Sequence, residues 1–351
     1  MKIDIFNHFF PKQFFDKYIN AGAGGKDIGK RVQNIATIMD LDKRFRILDE
    51  FGEYRQVLTL PLPPLEILAG PEKSPQLARE GNDGLAELVR KHPDRFIGFA
   101  ASLPMNNPKE AEKEMVRVLD QLGASGIQLY SNVAGKPLDA PEFLPFFEEA
   151  ARRDIPIWMH PARGADFTDY LSEDKSKYEI WWTFGWPYET SVAMSRIVFS
   201  GVLDRYPNIK IITHHMGGMV PYFEGRVGYG WDQLGTRTSD ADYKSLLNSM
   251  NKRPIDYFKH FYADTALFGA GPATKCGLAF FGVDNVVFAS DMPFEPAPGL
   301  YARETIRCVE DLGLSAADKE KIYQGNAEKL LKLKNGQRRE LDVTKRTDFP
   351  A

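Results

Sequence analysis

Short apolar runs recur along almost the whole chain, several of them closing on a polar residue, and longer stretches with apolar positions three or four apart lie between them. The runs predict eight strands, at Lys2–Asn7, Gln56–Leu62, Phe96–Ser102, Gly126–Tyr130, Ile155–His160, Ile209–His214, Phe261–Asp264 and Val286–Ser290. The stretches between them, such as Pro108–Leu122 and Pro141–Arg153, have the spacing of amphipathic helices, with proline near the first turn where a missing N–H costs little. Strand and helix in alternation, repeated eight times, is the pattern of a closed parallel (β/α)8 (TIM) barrel, an α/β fold whose strands point their C-terminal ends at one mouth.

The spacing breaks in two places. Between the first two strands, residues 11–54 are too long for a single helix and include the glycine-rich AGAGGKDIGK, so a small insertion over the barrel mouth is expected. Between the fifth and sixth strands lies WWTFGWPYETS, an aromatic segment suited to a pocket wall or an oligomer contact, followed by a helical stretch at Ser191–Leu203. Beyond Leu333 the polar, weakly patterned NGQRRELDVTKRTDFPA reads as a tail, leaving residues 1–334 as one barrel domain and 335–351 as an appendage.

Composition narrows the function classes. With 351 residues, 43% of them hydrophobic, the chain can bury a large core, and its net charge of -3 offers no general attraction to nucleic acid or to an anionic membrane. No stretch approaches the ~18 apolar residues of a membrane span. Two cysteines, Cys276 and Cys308, do not suggest a disulfide framework, so a cytoplasmic protein acting on a small molecule is expected.

Candidate chemistry gathers where strands end. His8, His160 and Asp291 each stand at or just after the end of an apolar run, and two imidazoles with one carboxylate make a three-point site for Zn²⁺, Mn²⁺ or Fe²⁺ with positions left for water and substrate. Alternation on the first strand puts Asp4, Phe6 and His8 on one interior face. His214 and His215 are adjacent, so one should face inward and the other away; His215, followed by Met-Gly-Gly, is taken as the inward one and as a proton-transfer residue.

The segments IDIFNHFFP, IPIWMHPARG, PNIKIITHHMGGMVPYFEGRV and VVFASDMPFEP together resemble the strand-end motifs of the amidohydrolase-related family that includes aminocarboxymuconate-semialdehyde, resorcylate and carboxyvanillate decarboxylases. The resemblance spans roughly Lys2 to Leu333 and implies a barrel with one divalent metal, commonly Zn²⁺ or Mn²⁺. It implies His8, His160 and Asp291 as metal ligands and His215 as the acid/base. It also exposes a departure: relatives usually carry His-x-His or Glu-x-His on the first strand, and this chain has Phe6 where the first of those ligands stands. Asp4, Glu189 and His214 are the candidates for a compensating ligand. On the fourth strand GIQLY offers only Gln128 and Tyr130, which disfavours a bridged pair of metals, although His214, Glu189 and Asp264 could build an unconventional second site.

The reading that follows is a metal-dependent nonoxidative decarboxylase of a small aromatic or unsaturated carboxylic acid. Its alternatives are a metal-dependent hydrolase in which Asp291 and His215 handle the protons of a bound water, an unconventional dimetal oxygenase, or a non-catalytic barrel subunit paired with an active paralogue. Arg163 is expected to steer the substrate carboxylate, with Arg44 and Arg46 as rivals. Trp186 and Phe294, with Trp158 and Trp182, are candidates for aromatic walls. A homodimer is what the resemblance implies.

Overall fold

The computed structural model describes residues 1–23 and 27–333; the tail expected at 335–351 lies outside the described residues. All eight expected strands form, as β1 (Lys2–His8), β2 (Tyr54–Thr59), β3 (Phe96–Ser102), β4 (Gly126–Tyr130), β5 (Pro156–His160), β6 (Lys210–Thr213), β7 (Tyr262–Asp264) and β8 (Val286–Val287). Neighbours pair in parallel in chain order from β1 to β8. The first strand meets the last through Ile5 N–H to Phe288 O (3.0 Å), Asp291 N–H to Phe6 O (3.1 Å) and His8 N–H to Met292 O (2.8 Å), which closes the barrel. The later strands are shorter than their apolar runs because the chain turns out of the ladder at its functional end: His214 and Ser290 fall outside β6 and β8.

In the stretch between β1 and β2 lie helices α1 (Lys12–Tyr18), α2 (Ile28–Val32) and α3 (Leu41–Leu48). Around the barrel follow α4 (Ser74–Lys91), α5 (Pro108–Asp120), α6 (Leu144–Arg153), α7 (Gly185–Phe199), α8 (Gly271–Phe281) and α9 (Leu300–Asp311). Asn107 caps α5 through its side chain, and Pro108 occupies its first turn. The aromatic segment is helical, forming Ile180–Thr183 and the start of α7.

Two apolar layers hold this arrangement. Inside the barrel Ile3, Ile5, Phe6, Val57, Ile97, Trp158, Ile212 and Val287 pack on one another, and a larger cluster lies between strands and outer helices. Trp158, expected as a pocket wall, belongs to the inner layer, where its indole N–H donates to Ile5 O at 2.7 Å. No helix among the described residues is long and apolar enough to cross a membrane.

Candidate metal centre

Four side chains converge at the C-terminal mouth of the barrel. His8 ends β1, His160 ends β5, His214 follows β6 and Asp291 lies beyond β8; all four are buried, and one donor atom from each lies within 4.8 Å of every other. Donors held on one ion at roughly 2.1 Å stand no more than about 4.2 Å apart, so a small inward adjustment would seat the ion. Asp291 is the hub: its Oδ1 is 3.1 Å from His8 Nε2 and 3.2 Å from His214 Nε2, and its Oδ2 is 3.5 Å from His215 Nε2.

The strand-alternation argument for the two histidines fails here, because β6 ends at Thr213. His214 is extended (φ -79°), but His215 and Met216 are left-handed (φ 52° and 53°), and this reversal turns both imidazoles toward the same centre instead of opposite faces. The His214 and His215 ring centroids are 3.8 Å apart. Gly217 and Gly218 continue the left-handed path (φ 77° and 62°), and their bareness serves packing and not substrate: a Cβ on Gly218 would lie 2.4 Å from Pro187 O, and one on Gly217 2.7 Å from the Phe281 ring.

Electrostatics favour ligand-competent forms of His8, His160 and Asp291. Burial lowers the pKa of His8, partly offset by Asp291, and lowers that of His160 well below the usual range, with His214 and His8 adding to the effect. Burial raises the Asp291 carboxyl, but the His214 charge and hydrogen bonds from His214, His215 and His8 outweigh it and hold it well below the usual range. His214 behaves differently: burial alone lowers it, and Asp264 with Asp291 outweighs burial and raises it to about 10. Three imidazoles and a carboxylate are a donor set suited to Zn²⁺, Mn²⁺ or Fe²⁺.

Asp264, at the end of β7, holds His214 Nδ1 and leaves Nε2 aimed at the centre. A carboxylate behind a metal-site imidazole fixes its tautomer and orientation. In the sequence Asp264 carries the same strand-end signal as Asp291, where it is a candidate only for a second site. That second site does not assemble: Glu189 is ion-paired with Arg163 at 2.9 Å, and Gln128 donates to Leu60 O and Tyr130 Oη.

Other expectations are corrected by where the side chains lie. Asp4 is turned away from the centre and accepts from Tyr54, Gln56 and Ser290, so it compensates for no ligand. Glu189 is likewise spent on Arg163. Arg163, stacked at 4.7 Å over Phe167, does not line the pocket, and neither do Arg44, which is fully buried beneath β1, or Arg46, exposed on α3. Phe6, by contrast, does border the cluster, 5.8 Å from His8 and from His160 by ring centroids.

A cavity of about 300 Å³ opens onto His160, His215 and Asp291. Trp181, Trp182 and Trp186 form one side, with Trp186 parallel to His215 (17°), and Phe268, Phe294 and Tyr301 also line it. Trp182, Trp186 and Phe294, the candidates for aromatic walls, are among the residues that line it. The guanidinium on the cavity wall is Arg31 of α2, whose Nη2 donates to the carbonyls of Phe294 (3.3 Å) and Glu295 (3.0 Å). Sequence pattern carried no signal for Arg31, because only folding of the insertion brings it to the mouth.

The amidohydrolase family model matches residues 42–333. A gamma-resorcylate decarboxylase of Polaromonas sp. is 34% identical over 307 residues, covering 83% of this chain and 87% of that protein. The 2-amino-3-carboxymuconate-6-semialdehyde decarboxylase of Dictyostelium discoideum is 30% identical over 349 residues, covering 95% and 92%. Among solved structures, the 5-carboxyvanillate decarboxylase of Novosphingobium aromaticivorans with manganese and 4-hydroxy-3-methoxy-5-nitrobenzoic acid superposes with a TM-score of 0.80 at 27% identity, covering 95% of this chain and 96% of that one.

Proposed function

This chain belongs to the amidohydrolase family, and from that premise we propose that it is a divalent-metal-dependent nonoxidative decarboxylase of a small aromatic carboxylic acid. The observation that carries the reading is the buried group His8, His160, His214 and Asp291 at the end of an aromatic-walled cavity sized for a single-ring acid. The decarboxylase names of relatives that share most of the chain support it, as does manganese in a related structure.

In this reading those four residues hold one ion, manganese or zinc. When bound, it supplies Lewis-acid attraction for the carboxylate and a neighbouring oxygen. The tryptophans and Phe294 clamp the ring and keep water from it, and Arg31 takes over at the mouth the anion-steering first expected of Arg163. His215 manages the proton. Its Nε2 faces Asp291, and its Nδ1 is buried with no hydrogen-bond partner among the described residues. The bond from ring carbon to carboxyl carbon breaks, CO₂ leaves, the electron pair stays on the ring carbon, and a proton delivered through His215 replaces it. Residues 1–334 act as one catalytic unit, in a cytoplasmic homodimer; the free thiols of Cys276 and Cys308 suit that compartment.

The test is to load the protein with Mn²⁺ or Zn²⁺ and offer hydroxylated benzoic acids in D₂O. Release of CO₂ with deuterium at the vacated carbon is expected. Water oxygen appearing in the product of an amide or ester, with no CO₂ from any acid, would sink the reading in favour of a hydrolase.

A further inference from the structure

Regular pleating cannot deliver His8 to the barrel centre. Ile3 and Ile5 point into the inner apolar layer, and strict alternation from them would turn Asn7 inward and both Phe6 and His8 outward. The ladder avoids this with one extra residue. Asp4 pairs with Gln56 and Asn7 with Leu58, so three steps of β1 are matched by two of β2. Ile5 and the next residue, Phe6, therefore both face the interior, and His8 follows Phe6 to the metal centre.

A bulge disrupts the ladder locally, and here a buried polar group takes up the slack. Asn7 Nδ2 donates to Asp4 O (3.1 Å) and Val57 O (3.0 Å), on either side of the irregularity. Arg44 reaches in from α3 and donates to Asn7 Oδ1 (2.6 Å), His8 O (2.8 Å) and Gln56 Oε1 (2.9 Å). The guanidinium is fully buried, and none of these hydrogen-bond acceptors is a carboxylate; Asp4, bonded to Gln56, and Glu295 act on it through space without bonding it. A buried cation with no carboxylate bonded to it is costly to keep, and a side chain needed only to fill space would be better apolar. What arginine adds is a planar fork that fixes several acceptors at once.

We infer that Arg44 and Asn7 are positioning residues that lock the β1 bulge and so keep His8 turned toward the metal centre. The inference rests on the reading of His8 as a ligand. Without the fork, the His8 carbonyl and the Asn7 amide lose their hold, and the regular register, which points His8 outward, competes.

The bulge carries its own reporter, because the Trp158 indole N–H is bonded to Ile5 O. Arg44→Met, Arg44→Lys, Asn7→Ala and His8→Ala are compared in the full chain by Zn²⁺ and Mn²⁺ affinity of the folded protein, against a chromophoric chelator, and by the Trp158 indole resonance of the metal-free protein. Arg44→Met and Asn7→Ala are expected to weaken affinity roughly 10–100-fold, as loss of groups behind a ligand does, and to shift the indole resonance. Arg44→Lys should fall between, and the two losses should be non-additive in the double variant. If Arg44→Met does not fold, Arg44→Lys and Asn7→Ala carry the comparison. Lowered thermal stability with unchanged affinity and an unmoved indole resonance overturns the inference. A moved resonance with affinity unchanged in both Arg44→Met and His8→Ala supports the lock and removes His8 from the ligand set.

Discussion

The Phe6 ring lies against the His214 imidazole, their centroids 4.0 Å apart and their planes inclined by 23°. Phe6 stands where relatives are expected to carry a first-strand ligand, and His214 places a donor in the same cluster from the other side of the barrel. The stack and the Asp264 contact together fix the His214 ring, so the apolar residue that removes one donor helps aim another. His214→Ala should therefore lose metal, whereas Phe6→His should weaken or leave unchanged the Zn²⁺ affinity, since a new donor there disturbs an occupied position. Clear tightening in Phe6→His would show that the place was vacant after all. Chelator competition on both variants measures it.

His160 sits between His8 (5.2 Å by ring centroids) and His214 (4.9 Å), and its Nδ1 is engaged by Pro161 O at 2.7 Å, leaving Nε2 for the centre. Elemental analysis of His160→Ala, purified without chelator, should find metal well below one ion per chain. Full occupancy would remove His160 from the ligand set.

His215 is placed for proton transfer. Replacing it with Asn should keep fold and metal content while lowering turnover by roughly 10²–10⁴-fold, the usual contribution of a general acid–base group. Loss of metal in this variant, read by the same elemental analysis, would move His215 into the coordination sphere.

Glu66 gives a pH dependence separate from the metal. Burial raises its carboxyl from 4.5 to about 7. Between those values the folded chain holds a proton that the unfolded chain has lost, so stability falls as pH rises through this window, by on the order of 3 kcal/mol in total. Urea unfolding at pH 4.5 and pH 7.5 should show that fall in the parent and a flatter profile in Glu66→Gln. Equal slopes in both would mean that Glu66 ionises normally.

Much of this protein was legible in its sequence, for identifiable reasons. The eight strands and their order follow from apolar periodicity, which reports burial residue by residue, and a strand ending on His or Asp in a parallel barrel must end at the common mouth. That reasoning led to His8, His160 and Asp291, and the aromatic content around α7 led to Trp182 and Trp186. What period-two alternation could not show was where it breaks. One extra residue in β1 separated Asp4 from Phe6 and His8, and a left-handed turn after β6 sent His214 and His215 to the same point. Arg44, Arg163 and Arg31 are alike as letters; one lies fully buried under β1, one is ion-paired with Glu189 and one lines the pocket. Periodicity is local and survives in the sequence, whereas bulges, left-handed turns and the partners of long charged side chains are set by contacts between segments far apart in the chain, and these exist only once the barrel has closed.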